Sequence, residues 1–180
     1  MKIKKILLWS IAISLVVFVL MFIYVIKTKS ADISRYTPFS EWIGKTVILP
    51  VETVLFEDRD PFNKKYPAIL YDSLHPDWQQ VEQRKQSATD AHHTIRIFPA
   101  GSRLTIEKAM IYTNGVSGFS TAMLFGTISD SSKNYPVSYK WGTYSAGRAF
   151  DQLKECWSFH QAPWQLQRDT SYYYLPEGNW

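Results

Sequence analysis

Two groups of residues in this sequence have types and spacings that could support catalysis. The first comprises Asp90, His92 and His93, just before a strand-like segment, where a metal or acid–base site could use them. However, adjacent histidines on an extended chain point to opposite faces, and no third ligand follows at a recognised spacing. We favour the interpretation that these residues form a solvated loop entering a strand.

Cys156 and His160 form the second group. If residues 148–160 are helical, the two side chains share one face at i, i+4 and could act as a nucleophile–base dyad. Such a nucleophile also needs an orienting third group and an oxyanion site, and the sequence shows no signature for either. Burial of Cys156 as a small apolar side chain is the simpler interpretation.

Familiar cofactor and nucleophile motifs are missing from the sequence. It has no P-loop, no H-E-x-x-H and no dinucleotide-binding fingerprint. Residues 114–119 contain G-x-S-G, but Phe119 stands where a nucleophile elbow requires Gly. The sequence therefore predicts no cofactor and no bound metal.

The carboxyl-terminal segment is densely aromatic. Three consecutive tyrosines on a strand cannot all face inward, and exposed Tyr and Trp are enriched at interface hot spots and at membrane surfaces. We therefore predict a docking surface for a partner in this segment. Its candidate residues are Trp164, Tyr172, Tyr173, Tyr174 and Trp180.

The apolar run at residues 6–26 determines where such a surface would be placed. Its 21 residues contain no charge, no Pro and no Gly, and as a helix they would extend about 31 Å, which matches the hydrocarbon core of a bilayer. Three lysines precede the run, and Lys27 and Lys29 follow it. This pattern predicts a single transmembrane anchor in a lipid bilayer.

A cleaved secretory signal is the alternative interpretation of this run. Signal peptides have an apolar region of roughly 7–15 residues and a small-x-small cleavage site. The run is longer, and Thr-Lys-Ser at residues 28–30 is a poor cleavage site, so we favour an uncleaved anchor. The basic tail at residues 1–5 predicts a cytoplasmic amino terminus and an extracytoplasmic domain, periplasmic if the membrane is a Gram-negative plasma (inner) membrane.

The charge distribution argues against a nucleic-acid partner. The whole chain has a formal net charge of +4, but residues 1–30 hold five lysines and no acid. Residues 31–180 therefore contain 15 basic and 16 acidic residues, a net charge of −1. Binding to phosphate backbones needs a concentrated basic surface, which this domain lacks.

After a polar tether at residues 27–40, residues 41–180 are predicted to form one β-rich domain. Residues 46–56 resemble a strand interrupted at Pro50, and apolar alternation recurs from residue 94 onward. The alternation slips at Glu107-Lys108, which indicates a β-bulge, and Asn114-Gly115 predicts a type I′ hairpin turn. Regular turns between such segments predict a small β-barrel or a curled antiparallel sheet.

One or two short helices are expected within this domain. Residues 73–87 have helix-start signals and a narrow apolar face, although the same segment could be a mobile loop. Residues 148–160 place Phe150, Leu153 and Trp157 at helical spacing, so we expect a helix that closes one end of the barrel.

These features favour a non-enzymatic, membrane-anchored envelope protein whose β-rich domain binds another protein or a cell-wall component. One alternative is a membrane-anchored hydrolase that uses His92, His93 or the Cys156/His160 pair. Another is a small inhibitor or immunity-type protein, which would have the same sequence features.

Overall fold

A computed structural model of the chain describes residues 2–58, 61–86, 94–130 and 133–178. The candidates Asp90, His92, His93 and Trp180 lie outside the described residues. The elements are α1 (Lys2–Ile26), β1 (Lys29–Asp32), β2 (Thr46–Ile48), β3 (Thr53–Glu57), β4 (Ala68–Asp72), α2 (Trp78–Gln86), β5 (Thr94–Phe98), β6 (Arg103–Thr113), β7 (Ser120–Ser129), β8 (Asn134–Lys140), β9 (Thr143–Tyr144), α3 (Ala146–Phe150) and β10 (Trp157–Ser158).

The amino-terminal helix α1 includes the whole apolar run at residues 6–26. Its described side chains are exposed along the helix, and no part of the domain buries them. Among the described residues, Lys4–Ile26 is the one stretch long and apolar enough to cross a membrane, a profile that a signal sequence would share.

Eight strands form one mixed sheet in the order β1-β6-β7-β8-β4-β3-β5, and β2 pairs with β6 beside β1. The prediction of a mainly β domain is confirmed, but the barrel prediction is wrong because the sheet is open. It is also not purely antiparallel, since β4 and β8 run parallel. After α2 the chain returns as β5 on the outer side of β3, which leaves the other edge of β4 free to pair with β8.

The predicted tether does not separate α1 from the domain. Residues 29–32 form β1, which pairs antiparallel with the end of β6, from Lys29 opposite Thr113 to Asp32 opposite Met110. Ile33 and Phe39, which follow, are fully buried. Main-chain hydrogen bonds to β6 hold this edge strand in place. It can therefore form without the apolar alternation that the sequence Lys-Ser-Ala-Asp lacks.

The predicted β-bulge lies in β6, where the pairing with β7 shifts between Ile106 and Lys108. This extra residue keeps alternate apolar side chains in the main core on both sides of the shift, so that Leu104 and Ile106 before it and Ala109 and Ile111 after it all face inward. The interruption at Pro50 is also confirmed, because β2 and β3 are separate strands.

Both faces of the sheet are covered. The main core packs one face against residues of the carboxyl-terminal segment, including Trp157, Phe159 and Trp164. On the other face, Val81 of α2 packs with Val54 and Phe56, so the predicted helix at residues 73–87 is present in shorter form as α2.

The predicted helix at residues 148–160 is wrong. The helix α3 ends at Phe150, and Gln152 has a φ of 60°, which interrupts helical geometry. Phe150 and Leu153 are exposed, whereas Trp157 is buried in β10 and pairs with Tyr144. The helical spacing of these apolar residues therefore does not correspond to a common buried face.

The hairpin between β6 and β7 is present, but its predicted type I′ turn is wrong. The connection is a six-residue loop, 114–119, in which Gly118 rather than Gly115 has a positive φ, +67°. The side chain of Asn114 organises the loop by accepting hydrogen bonds from the amides of Val116 and Ser117 at 2.8 and 3.0 Å.

Candidate functional site

A groove of about 840 Å³ opens at one end of the sheet. The 114–119 loop forms one wall, and parts of residues 144–157 and 174–177 form the other. Its volume falls within the roughly 300–1,000 Å³ range of small-molecule sites. It is therefore large enough to receive a ligand or a partner's side chains.

This groove lies at the end of the sheet closest to α1, and we call it the anchor-proximal groove. Lys29, three residues beyond the end of α1, pairs with Thr113 at the start of the loop wall. At the other end of β6, Arg103 pairs with Ile48 of β2. The 11 residues of β6 separate these two ends by roughly 30 Å.

The lining of the groove is aromatic and apolar with charges of both signs. Tyr144 and Tyr174 are exposed in its wall, and the buried Trp157 lies beneath them. Lys154 and Glu177 contribute opposite charges. This composition suits contacts with an amphipathic surface better than capture of a small ion.

Cys156 also borders the groove, but it is nearly fully buried. Its thiol donates a hydrogen bond to the carbonyl oxygen of Leu153 at 2.9 Å. Burial, together with Cys156 and Glu177, raises the pKa of the neighbouring Tyr144 hydroxyl. The thiol therefore lies at the edge of the groove. Among the described residues, no histidine or carboxylate is in hydrogen-bond contact with it.

The four aromatic docking candidates within the described residues separate by burial. Trp164 is only 8% exposed and packs in the core against Tyr139 and Trp141, with ring centroids 5.2 and 5.7 Å apart. Tyr173 is half-buried on Phe159. Trp164 is therefore a core residue.

Tyr172 and Tyr174 are the two exposed members among the described candidates. The guanidinium of Arg148 lies 3.9 Å from the ring centre of Tyr172, whereas Tyr174 is 53% exposed and lines the groove. Their alternation with the half-buried Tyr173 matches the expectation that three consecutive tyrosines cannot all face inward.

A second group of polar side chains is buried within the fold, and we call it the histidine–tyrosine cluster: Asp72, His75, Tyr139 and His160. The Tyr139 hydroxyl donates to Oδ2 of Asp72 at 2.8 Å and lies 3.0 Å from Nε2 of His160. Because a hydroxyl has one proton, this arrangement assigns the donor role in the second contact to the His160 Nε2–H. Oδ1 of Asp72 accepts from the Leu74 amide at 2.8 Å.

His75 completes the cluster through ring contacts. Its ring centre lies 4.9 Å from that of His160, and its Nδ1 accepts the Asp77 amide at 3.1 Å. Nε2 is therefore the protonated nitrogen, and it is buried without a partner in hydrogen-bonding geometry. Against the effect of burial, an interaction with the backbone of Lys140, weaker than a well-formed hydrogen bond, raises the pKa of His75 slightly.

Burial determines the protonation states in this cluster. The pKa of His160 falls from 6.5 to about 3, first through burial and then through unfavourable electrostatic interactions with His75, Lys140 and Arg168. Burial likewise lowers the pKa of His75 and raises that of Asp72. Burial and the charge of Asp72 raise the pKa of the Tyr139 hydroxyl well above its usual value.

The geometry of the cluster suits a structural role rather than substrate binding. The cavity that touches Tyr139 measures about 10 Å³, and its other lining residues are apolar apart from Gly126. This volume is at the lower limit for one water molecule. No three His, Cys, Asp or Glu side chains in the described part of the chain are arranged to hold a metal ion.

The structure separates the proposed Cys156/His160 dyad. With the helix at residues 148–160 absent, Cys156 borders the groove while His160 contacts Tyr139 and His75 in the cluster. Sequence reasoning identified His160 but missed Asp72, His75 and Tyr139. The available signal was an Asp at the end of an apolar strand, followed three residues later by a His.

Comparisons with protein-family models, with curated proteins and with solved structures found no significant match to this chain.

Proposed function

We propose that this protein is a non-enzymatic, membrane-anchored binding module of the cell envelope. In this proposal α1 spans the plasma (inner) membrane with its amino terminus in the cytoplasm, and the β-rich domain lies outside. The domain binds another protein or a cell-wall component through the anchor-proximal groove and the exposed tyrosines beside it.

The observation that supports this proposal most strongly is the composition of the groove. Its large volume, its exposed Tyr144 and Tyr174 and its charges of both signs resemble the aromatic-rich, mixed-polarity lining of interaction surfaces. In the titratable cluster around His160, by contrast, Asp72, His75 and Tyr139 are almost fully buried and offer little surface to a substrate. These two observations favour binding over hydrolysis.

Partner capture and thermal melting of three variants test this function. Tyr174→Ala should melt like the wild type, because the ring is exposed, yet lose about 2 kcal/mol or more of binding, roughly a thirtyfold loss of affinity. Trp164→Ala removes a core ring and should cost about 3–5 kcal/mol of stability. Ile48→Ala, at the far end of the sheet, is the exposed control and should change neither quantity.

The hydrolase alternative has the opposite pattern of results. It requires that at least one of His92→Ala, His93→Ala, Cys156→Ala and His160→Ala abolish function in a protein that remains folded, while Tyr174→Ala leaves function intact. Such a result would overturn the binding proposal.

A further inference from the structure

The 114–119 loop is fixed at the point where α1 ends. Two residues, Lys27 and Thr28, separate α1 from β1, so Ile26 and Lys29 are at most about 11 Å apart. Lys29 in turn pairs with Thr113, the residue before the loop. If α1 crosses a bilayer, this connection holds the start of the loop close to the membrane surface.

A direct contact reinforces this placement. A Cβ atom built on Gly115 would collide with the main-chain carbonyl oxygens of Val25 and Lys27. Gly115 therefore lets the loop backbone pack closely on the carboxyl-terminal end of the helix. The loop and the helix end form one continuous surface.

Apolar side chains project from this surface. Val116 is 77% exposed and Phe119 63% exposed at the loop, and Phe150, 89% exposed, belongs to α3 beside the opposite wall of the groove. Nothing in the described domain covers these side chains. Their exposure at the helix end matches residues that lie in the interfacial layer of a bilayer.

The backbone of the loop is already prepared for an environment with little water. The amides of Val116 and Ser117 donate to the Asn114 side chain, and those of Gly118 and Phe119 donate to the Asn114 carbonyl and the Ser117 hydroxyl. An unpaired amide in apolar surroundings would be costly. Because these four amides are satisfied within the loop, moving its tip out of water would not leave them unpaired.

We propose that the 114–119 loop inserts its tip into the interfacial layer of the bilayer that α1 crosses, with Val116 and Phe119 as the inserting side chains. This proposal rests on the membrane anchor of the proposed function. Lys29 and Lys154 line the groove and are only partly offset by Glu177, so anionic lipid can strengthen the association, but the apolar side chains are the groups that enter the interfacial layer. The groove then opens beside the membrane surface.

Depth-dependent quenching in the full-length protein tests this insertion. Cys156→Ser removes the one native cysteine and retains a hydrogen-bond donor toward Leu153. In this background, Val116→Cys is labelled with an environment-sensitive fluorophore and reconstituted in phosphatidylcholine vesicles that contain spin-labelled lipids. Two control positions are labelled in the same way. Val16→Cys, in the middle of α1, reports the bilayer core, and Ile48→Cys, at the far end of the sheet, reports water.

The proposal predicts a blue-shifted emission at position 116 and stronger quenching by lipids labelled near the headgroup than by lipids labelled at the chain end. Position 16 should show the reverse depth preference, and position 48 no quenching. The shallow quenching at position 116 should already be present in phosphatidylcholine vesicles without anionic lipid. A second label at position 119, from Phe119→Cys, should reproduce the shallow quenching.

Three results would overturn the proposal. Absence of quenching at positions 116 and 119, with position 16 quenched, would refute the insertion while leaving the anchor intact. A blue shift at position 116 without lipid quenching would assign the loop to a protein contact or a second copy of the chain. Absence of quenching at position 16 would refute the anchor itself, and the insertion with it.

Discussion

Acidification should destabilise the domain because His160 is held neutral in the fold. Burial, followed by unfavourable electrostatic interactions with His75, Lys140 and Arg168, lowers the pKa of His160 from 6.5 to about 3. Between these two values the unfolded chain binds a proton that the native chain does not. Stability therefore falls as the pH decreases below about 6.5 and stops falling from this source near pH 3.

The size of the effect follows from the two pKa values. Each pH unit below 6.5 costs about 1.4 kcal/mol, so His160 alone accounts for a loss of about 2 kcal/mol between pH 7 and pH 5. The lowered pKa of His75 acts in the same direction. Burial raises the pKa of Asp72 above 3.8, so its protonation stabilises the fold in acid and partly offsets the loss at lower pH.

Denaturant titration of the full-length protein in detergent micelles, followed by tryptophan fluorescence at pH 7 and pH 5, measures this loss. His160→Gln is the matched variant, since its amide can still donate to the Tyr139 hydroxyl but does not titrate. The wild type should lose about 2 kcal/mol more than His160→Gln between the two pH values. Equal pH dependence in the two proteins would refute the assignment of a buried, neutral His160.

Three further predictions concern the loop, the sheet and the topology. Gly118→Val should destabilise the protein by about 1–3 kcal/mol because of its φ of +67°, whereas Gly118→Asn should be tolerated, and equal melting temperatures would contradict this. Gly126→Ala should lower the melting temperature strongly, because its Cβ would overlap the Thr105 carbonyl oxygen. The control Gly147→Ala, in open space within α3, should instead stabilise the protein by about 0.5–1 kcal/mol. Similar melting temperatures for the two variants would contradict the tight packing at Gly126. A reporter that is active only outside the cytoplasm, fused after Trp180, should be active, and a silent but well-expressed fusion would place the domain in the cytoplasm.

Local patterns in the sequence predicted much of the sheet, because they depend on the chain's own alternation. The slip at Glu107 predicted the bulge, and Pro50 predicted the break between β2 and β3. Patterns failed where tertiary contacts outweighed them. Lys29–Asp32 became a strand through main-chain pairing with β6, and residues 151–160 did not continue α3 because Trp157 pairs with Tyr144 instead.

The buried cluster illustrates the limit for site prediction. Asp72 and His75 come from the end of β4, whereas Tyr139 lies in β8 and His160 follows β10. The parallel pairing of β4 with β8 brings them together, and no sequence spacing encodes that pairing. The exposure of Tyr172 and Tyr174 was easier to predict, since three consecutive rings on an extended chain cannot all be buried, while their role in docking stays a prediction.

Site-specific photo-cross-linking tests the role of the anchor-proximal groove most directly. A benzophenone amino acid replaces Tyr174 in the groove or Ile48 at the far end of the sheet, in full-length protein within the membranes of cells that contain its partner. The account predicts a discrete cross-linked species from position 174 that is lost with Tyr144→Ala, and none from position 48. Cross-linking from position 48 alone, or a product at position 174 that Tyr144→Ala leaves unchanged, would contradict the groove as the binding site.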